Sequence, residues 1–345
     1  IELDAAQDHA DILLARFLVV PEIPAEHADR PAVRADHVEH GFQGRAFARA
    51  VFADQPHDPP LFQRKRRERK TMKQEVFNPY LPNWEYVPDG EPRVFGGRVY
   101  LYGSPDRFGG PLFCMNDYVC WSAPEEDLSD WRFEGVIYRK DQDPMNPGGR
   151  RCLYAPDVVR GPDGRYYLYY AFDFMGRIGV AVCDELTGQF RFYSHVAFPD
   201  EHLWGERAGE HFPFDLGVLV DDDGRVYLYS GFATRIPVPV TGFRQMENPG
   251  GVELEPDMRT IRQEPHLLFP RKELPGAFEN HAFFEASFIR KVDGRYCFIY
   301  SSEHNHELCY AMADYPFGPF TFGGTLVDIG DVFLPGRPGE EQAAN

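Results

Sequence analysis

The sequence predicts an all-β protein built as a β-propeller, and three observations carry that prediction. Four segments repeat one pattern, a strand, a turn ending in Gly-Arg and a second strand ending in Tyr. The turn glycines Gly97, Gly164, Gly224 and Gly294 stand 67, 60 and 70 residues apart, a spacing that suits one four-stranded blade per repeat. Aromatic residues make up 15% of the chain, which favours stacked sheet faces over a helical bundle. No stretch sustains a 3.6-residue apolar period, which argues against α/β alternatives.

The first 71 residues differ from the rest. All 18 tyrosines, all four tryptophans and all six cysteines follow Met72, whereas five of the 12 histidines (His9, His27, His37, His40 and His57) precede it. Residues 1–71 are nearly balanced in charge, so almost all of the net charge of -18 falls on the remainder. Ile12 to Val20 is the one apolar run in this part. Acidic residues precede it and no small-residue cleavage pattern follows, so it does not read as a signal peptide and the expected location is the cytoplasm. Directly before Met72 stands Lys65-Arg66-Arg67-Glu68-Arg69-Lys70. Read back to codons, this run is rich in purines, as a ribosome-binding site is. The expectation is that translation starts at Met72. Residues 1–71 are then a non-native upstream extension or a disordered arm, and 72–345 are the propeller domain.

The repeats follow in order. The first hairpin runs from Arg93 to Tyr102, with further strands at Tyr118–Ser122 and Trp131–Glu134. The second runs from Val158 to Tyr169, followed by Ile178–Cys183 and Phe190–Tyr193. The third is Val218 to Tyr229; its Asp221-Asp222-Asp223-Gly224 run resembles a fragment of a calcium loop, but the repeat explains it as the hairpin turn. The fourth is Phe288 to Tyr300 around Asp293-Gly294, followed by Leu308–Met312 and Phe320–Phe322. Such a unit cannot bury both of its faces alone, so the blades must stack on one another.

Charge and composition narrow the partners. A net charge of -18 excludes nucleic acid and anionic membranes as expected partners. No run of 18 apolar residues is present, so no helical membrane span is expected. Cys114, Cys120, Cys152, Cys183, Cys297 and Cys309 form no Cys-x-x-Cys pair, and scattered reduced thiols are the expected state.

In a propeller the first strand of each blade lines the central axis. Asp89, Asp157, Asp215 and Glu285 all lie at or just before these strands, so four carboxylates from four repeats converge. Convergence favours a two-carboxylate hydrolytic site over four separate structural roles. Glu285 lies within Ala282-Phe283-Phe284-Glu285-Ala286. Burial among phenylalanines raises a carboxyl pKa and suits a general acid; the alternative is a structural pair with Arg290.

The ordered motifs resemble glycoside hydrolase family 43. They are Asn78-Pro79-Tyr80-Leu81-Pro82, Pro88-Asp89-Gly90, Tyr154-Ala155-Pro156-Asp157-Val158, Phe214-Asp215 and Phe283-Phe284-Glu285-Ala286. The resemblance spans about Asn78 to Val332. It implies a five-bladed propeller of which about four blades are present, the tail from Leu334 leading towards the last. It also implies an inverting glycosidase acting on terminal arabinofuranosyl or xylosyl residues of plant polysaccharides or oligosaccharides. Carried over, Asp89 is the base, Asp215 the residue that tunes and orients the acid, and Glu285 the acid. Two positions depart from the family pattern. Asp89-Gly90-Glu91-Pro92 stands where Asp-Pro is usual, which makes Glu91 a rival base, and Tyr154 stands where Trp is usual. Trp84, Tyr154, Asp157, Phe214, Phe284 and His306 are the expected substrate-binding residues, with His304 read as a surface residue. No cofactor is expected for the chemistry. The family's channel histidine, often a ligand to a central structural calcium, belongs to the missing blade. The other readings are a galactan- or galactofuranose-directed hydrolase and a non-catalytic carbohydrate-binding propeller.

Overall fold

The computed structural model describes residues 80–82, 84–173, 175–233, 249–263, 265–269, 276, 278–303 and 307–327. The sequence readings for 1–71, His304, His306 and the tail from Leu334 fall outside these residues.

Four antiparallel four-stranded sheets make up the described structure. The first holds β1 (Pro92–Phe95), β2 (Arg98–Gly103), β3 (Tyr118–Pro124) and β4 (Arg132–Tyr138). The second holds β5 (Leu153–Arg160), β6 (Tyr166–Phe172), β7 (Ile178–Cys183) and β8 (Arg191–His195). The third holds β9 (Gly217–Val220), β10 (Val226–Ser230), β11 (Gly250–Leu254) and β12 (His266–Leu267). The fourth holds β13 (Phe283–Val292), β14 (Arg295–Ser302), β15 (Leu308–Ala313) and β16 (Thr321–Val327). Within each sheet the strands neighbour one another in chain order, as in propeller blades. The repeated Gly-Arg follows from geometry. Gly97, Gly164, Gly224 and Gly294 each take a positive φ, between 78° and 84°, which closes the inner hairpin at little steric cost. Strands β11 and β12 went unread in the sequence because Gly250-Gly251 and the two-residue β12 lack the β-branched and aromatic signal of the other blades.

Sheets covered on both faces account for the strand chemistry. In β6 Leu168, Tyr170 and Phe172 pack towards the first blade with Tyr102, Tyr118 and Tyr138. Tyr167, Tyr169 and Ala171 pack towards the third with Leu228 and Val252. Tyr227 and Tyr229 meet Phe298 and Tyr300 of the fourth.

The tyrosine four residues after each turn arginine has a further use. Tyr102 donates its hydroxyl hydrogen to the Leu186 carbonyl at 3.1 Å, Tyr169 to Met258 at 2.6 Å and Tyr229 to Pro316 at 2.9 Å. Each acceptor lies between the third and fourth strands of the next blade. In the fourth blade the same position is Ile299, one residue before the Tyr300 that ends the sequence pattern. Ile299 lies on the opposite face with Cys297, Tyr310 and Met312, and Tyr300 instead donates to the His281 carbonyl of its own blade at 2.7 Å.

Candidate active site

The four inner strands enter the ring through the same local kink. Asp89, Ala155, Asp215 and Ala286 occupy equivalent positions and all take a left-handed backbone, with φ of 56°, 43°, 50° and 61°. In β5 and β13 the ladder register slips at this point, between Tyr154 and Asp157 and between Glu285 and Phe288. A left-handed residue costs an L-amino acid about 1–2 kcal/mol, least for Asp and Asn outside Gly. Two of the four kinks carry aspartates, and the third carboxylate, Glu285, immediately precedes the fourth.

Two residues after the kink stand Glu91 in the first blade and Asp157 in the second, and this position sets Asp157 apart from the other carboxylates expected to converge. Asp157 is fully buried. Its oxygens accept from Arg93 Nε at 2.7 Å, from Arg93 Nη2 and from the Val218 amide at 2.8 Å. Glu91 occupies the same repeat position in the first blade, 3.6 Å from Arg290 Nη2. Burial is the largest cause that pushes its carboxyl up to about 8. Arg290 also donates to the Pro92 carbonyl at 3.2 Å. The partner considered for Glu285 in the sequence therefore belongs to the axis. Each of these carboxylates faces a guanidinium, so the described axis residues do not fit a calcium ion, which takes six to eight oxygen ligands.

Asp89, Asp215 and Glu285 are brought into one electrostatic group. Burial raises Asp215 to about 7, the Asp89 charge adding to it and the Ala286 amide opposing it. Burial is also the main cause that holds Glu285 well above the usual carboxylate range, followed by the charges of Asp215 and then Asp89. Asp89 is exposed as a residue, yet desolvation of its carboxyl is the largest cause that raises it, the least of the three, to about 6; the Asp106 charge adds to the rise and a Cys114 hydrogen bond opposes it.

The backbone ties Asp215 to the strand that carries Glu285. The Ala286 amide donates to Asp215 Oδ2 at 2.6 Å, and the Ser287 amide donates to the Asp215 carbonyl at 3.2 Å. Phe214 is anchored to Ser230 at the end of β10 by a pair of bonds of 2.7 and 2.8 Å. The close approach of β9 to β13 requires glycine, because a Cβ at Gly217 would stand 2.2 Å from the Ser287 carbonyl oxygen.

The aromatic expectations divide. The Tyr154 ring lies 5.7 Å from the Phe214 ring. Phe214 and Phe284 are 5% and 4% exposed in the core shared by the second and third blades. They are core residues with little surface left for the substrate binding expected of them. Trp84 is 65% exposed and lies 6.0 Å from Trp121 of β3. Sequence reasoning missed Asp106 and Cys114. The Cys114 thiol donates to Asp89 Oδ2 at 3.7 Å, and its amide donates to Asp106 Oδ1 at 2.8 Å. Both lie in the loop between β2 and β3, outside the repeated hairpin.

The chain is similar to known proteins over its propeller region. The family model described as glycosyl hydrolases family 43 matches residues 87–322. A "Xylosidase/arabinosidase" of Thermoclostridium stercorarium is 50% identical over 78% of this chain, which spans 56% of that relative. A "Xylosidase/arabinosidase 43A" of Humicola insolens is 32% identical over 70% of this chain and 80% of its own length. Among solved structures, a family 43 enzyme of Xanthomonas citri complexed with xylotriose is 26% identical with a TM-score of 0.56, covering 71% of this chain and 75% of its own. A β-xylosidase/α-arabinofuranosidase from a compost microbial metagenome, in calcium-free form with xylotriose, is 28% identical with a TM-score of 0.53, covering 70% and 78%.

Proposed function

The chain belongs to glycosyl hydrolase family 43, and from that membership we propose that it is an inverting glycosidase releasing terminal xylosyl or arabinofuranosyl residues from oligosaccharides or polysaccharides. One observation carries the proposal: burial, and after it the charges of Asp215 and Asp89, keep the proton on Glu285, while Asp89 is raised least and ionises first. Asp89 takes a proton from the attacking water. Glu285 gives its proton to the leaving glycosidic oxygen as the bond to the anomeric carbon breaks, and inversion follows from attack on the opposite face. Asp215 receives the amide next to Glu285 and keeps the acid protonated by its charge. The names of the relatives and the xylotriose complexes support pentose substrates.

The test is hydrolysis of nitrophenyl β-xyloside, nitrophenyl α-arabinofuranoside and xylotriose, with the first-formed sugar anomer followed by NMR. Release of α-xylose first from the β-xyloside is expected. Retention of configuration, or no turnover of any of the three by folded protein, overturns the proposal.

A further inference from the structure

A second cluster of chemistry-bearing side chains lies in the fourth blade, and the hydrolytic reaction does not use it. His281 stands four residues before Glu285, and Glu307 and Cys309 lie at the start of β15. Their donor atoms form a triangle. His281 Nδ1 lies 2.9 Å from Glu307 Oε2, Cys309 Sγ lies 3.7 Å from the same oxygen, and Cys309 Sγ lies 4.0 Å from His281 Nδ1. These sides place a point about 2.1 Å from all three atoms, against the roughly 2.0–2.3 Å that zinc takes to nitrogen, oxygen and sulfur.

We propose that His281, Glu307 and Cys309 form a binding site for a zinc-like divalent cation. A thiolate, an imidazole and a carboxylate suit a borderline-soft cation and disfavour calcium or magnesium. The point equidistant from the three donors lies in their plane, so a small withdrawal of the ion from that plane admits a water as the fourth ligand. Binding displaces the Cys309 thiol proton into solvent and requires the imidazole proton of His281 to sit on Nε2.

The surroundings fit a metal site, because groups beyond the ligands orient them. The His281 ring stacks on Phe322 at 4.6 Å with a 12° interplanar angle, and its carbonyl accepts from Tyr300. Ser302 Oγ donates to Glu307 Oε2 at 3.3 Å, and Thr325 Oγ1 lies 3.7 Å from Cys309 Sγ. The side chains of Glu307 and His281 are 9% and 27% exposed, so a cation enters past the imidazole. The bound ion would pin the β14–β15 end to the segment that leads into Glu285.

The experiment titrates chelator-treated protein with cobalt(II), followed by competition with zinc. The expected result is one cobalt per chain, with a near-ultraviolet thiolate-to-cobalt charge-transfer band that zinc abolishes. Cys309→Ser should remove the band and weaken cobalt binding at least tenfold, whereas Cys297→Ser, on the other face of the same sheet, should leave both unchanged. If Cys309→Ser does not fold, Glu307→Gln should keep the band and weaken binding at least tenfold. Binding without a thiolate band, a band that survives Cys309→Ser, affinity unchanged by Glu307→Gln, or no cobalt uptake shows a plain hydrogen-bonded cluster and overturns the proposal.

Discussion

The substitution Asp215→Asn separates stability from catalysis. The fold raises Asp215 from 3.8 to about 7. The folded chain therefore holds a proton that the unfolded chain releases between about pH 4 and pH 7, and stability falls as pH rises through that window. A shift of about three units corresponds to about 4 kcal/mol above pH 7, and partial solvent access reduces this to roughly 2 kcal/mol. Asparagine keeps an acceptor for the Ala286 amide, which now meets Asp215 Oδ2 at 2.6 Å, and tolerates the left-handed backbone. The variant should be more stable than the parent by about 2 kcal/mol at pH 8, or roughly 4–8 °C in melting temperature. At pH 4.5 about a quarter of that gain should remain. Activity moves the other way. Glu285 loses a like charge and gives up its proton at lower pH, so the alkaline limb of kcat shifts down. Paired thermal melts and pH–rate profiles measure both effects. A variant less stable than the parent at pH 8, or a gain independent of pH, refutes the reasoning.

Three further outcomes are expected. Glu285→Gln should reduce hydrolysis of xylo-oligosaccharides by at least about 100-fold, the range of general-acid contributions. It should spare an activated dinitrophenyl glycoside, and equal loss on both substrates would show another role. Cys114→Ala removes a hydrogen bond that lowers the Asp89 pKa, so the acidic limb of kcat/KM, near pH 6, should move up by roughly half a unit to one unit, equivalent to about 1 kcal/mol. An unmoved limb would show that the thiol does not act on the base. Arg93→Met leaves the fully buried Asp157 without its charge partner and should cost about 3–5 kcal/mol, measured by denaturant unfolding at pH 7.

The sequence revealed the repeat because hairpin turns demand glycine and because stacked blades demand aromatic residues on both faces of each strand. It placed Asp89, Asp215 and Glu285 through local motifs that each lie at an inner-strand entry. Repeat position alone did not separate Asp157 and Glu91 from that set; the family resemblance did. Separation depends on which residue takes the left-handed kink and which follows two positions later, a distinction of φ that side-chain type does not encode. Phe214 and Phe284 look alike as pocket wall or blade core until the facing sheet is present. Asp106 and Cys114 reach Asp89 from the loop between β2 and β3, outside the repeated hairpin, so the repeat did not point to them. The end-of-hairpin tyrosine was visible, but its one-residue shift in the fourth blade shows only in the strand register.

The shared kink makes the catalytic groups replaceable parts on a fixed mount. Ala155 holds the same backbone turn as Asp89 and Asp215 with no carboxyl at all, so the geometry does not depend on the acid it displays. Asparagine or glycine, both at ease with positive φ, can replace either aspartate while the turn stays set. A silent variant made this way keeps its shape, and soaking it with intact oligosaccharide offers a route to catching the substrate before cleavage.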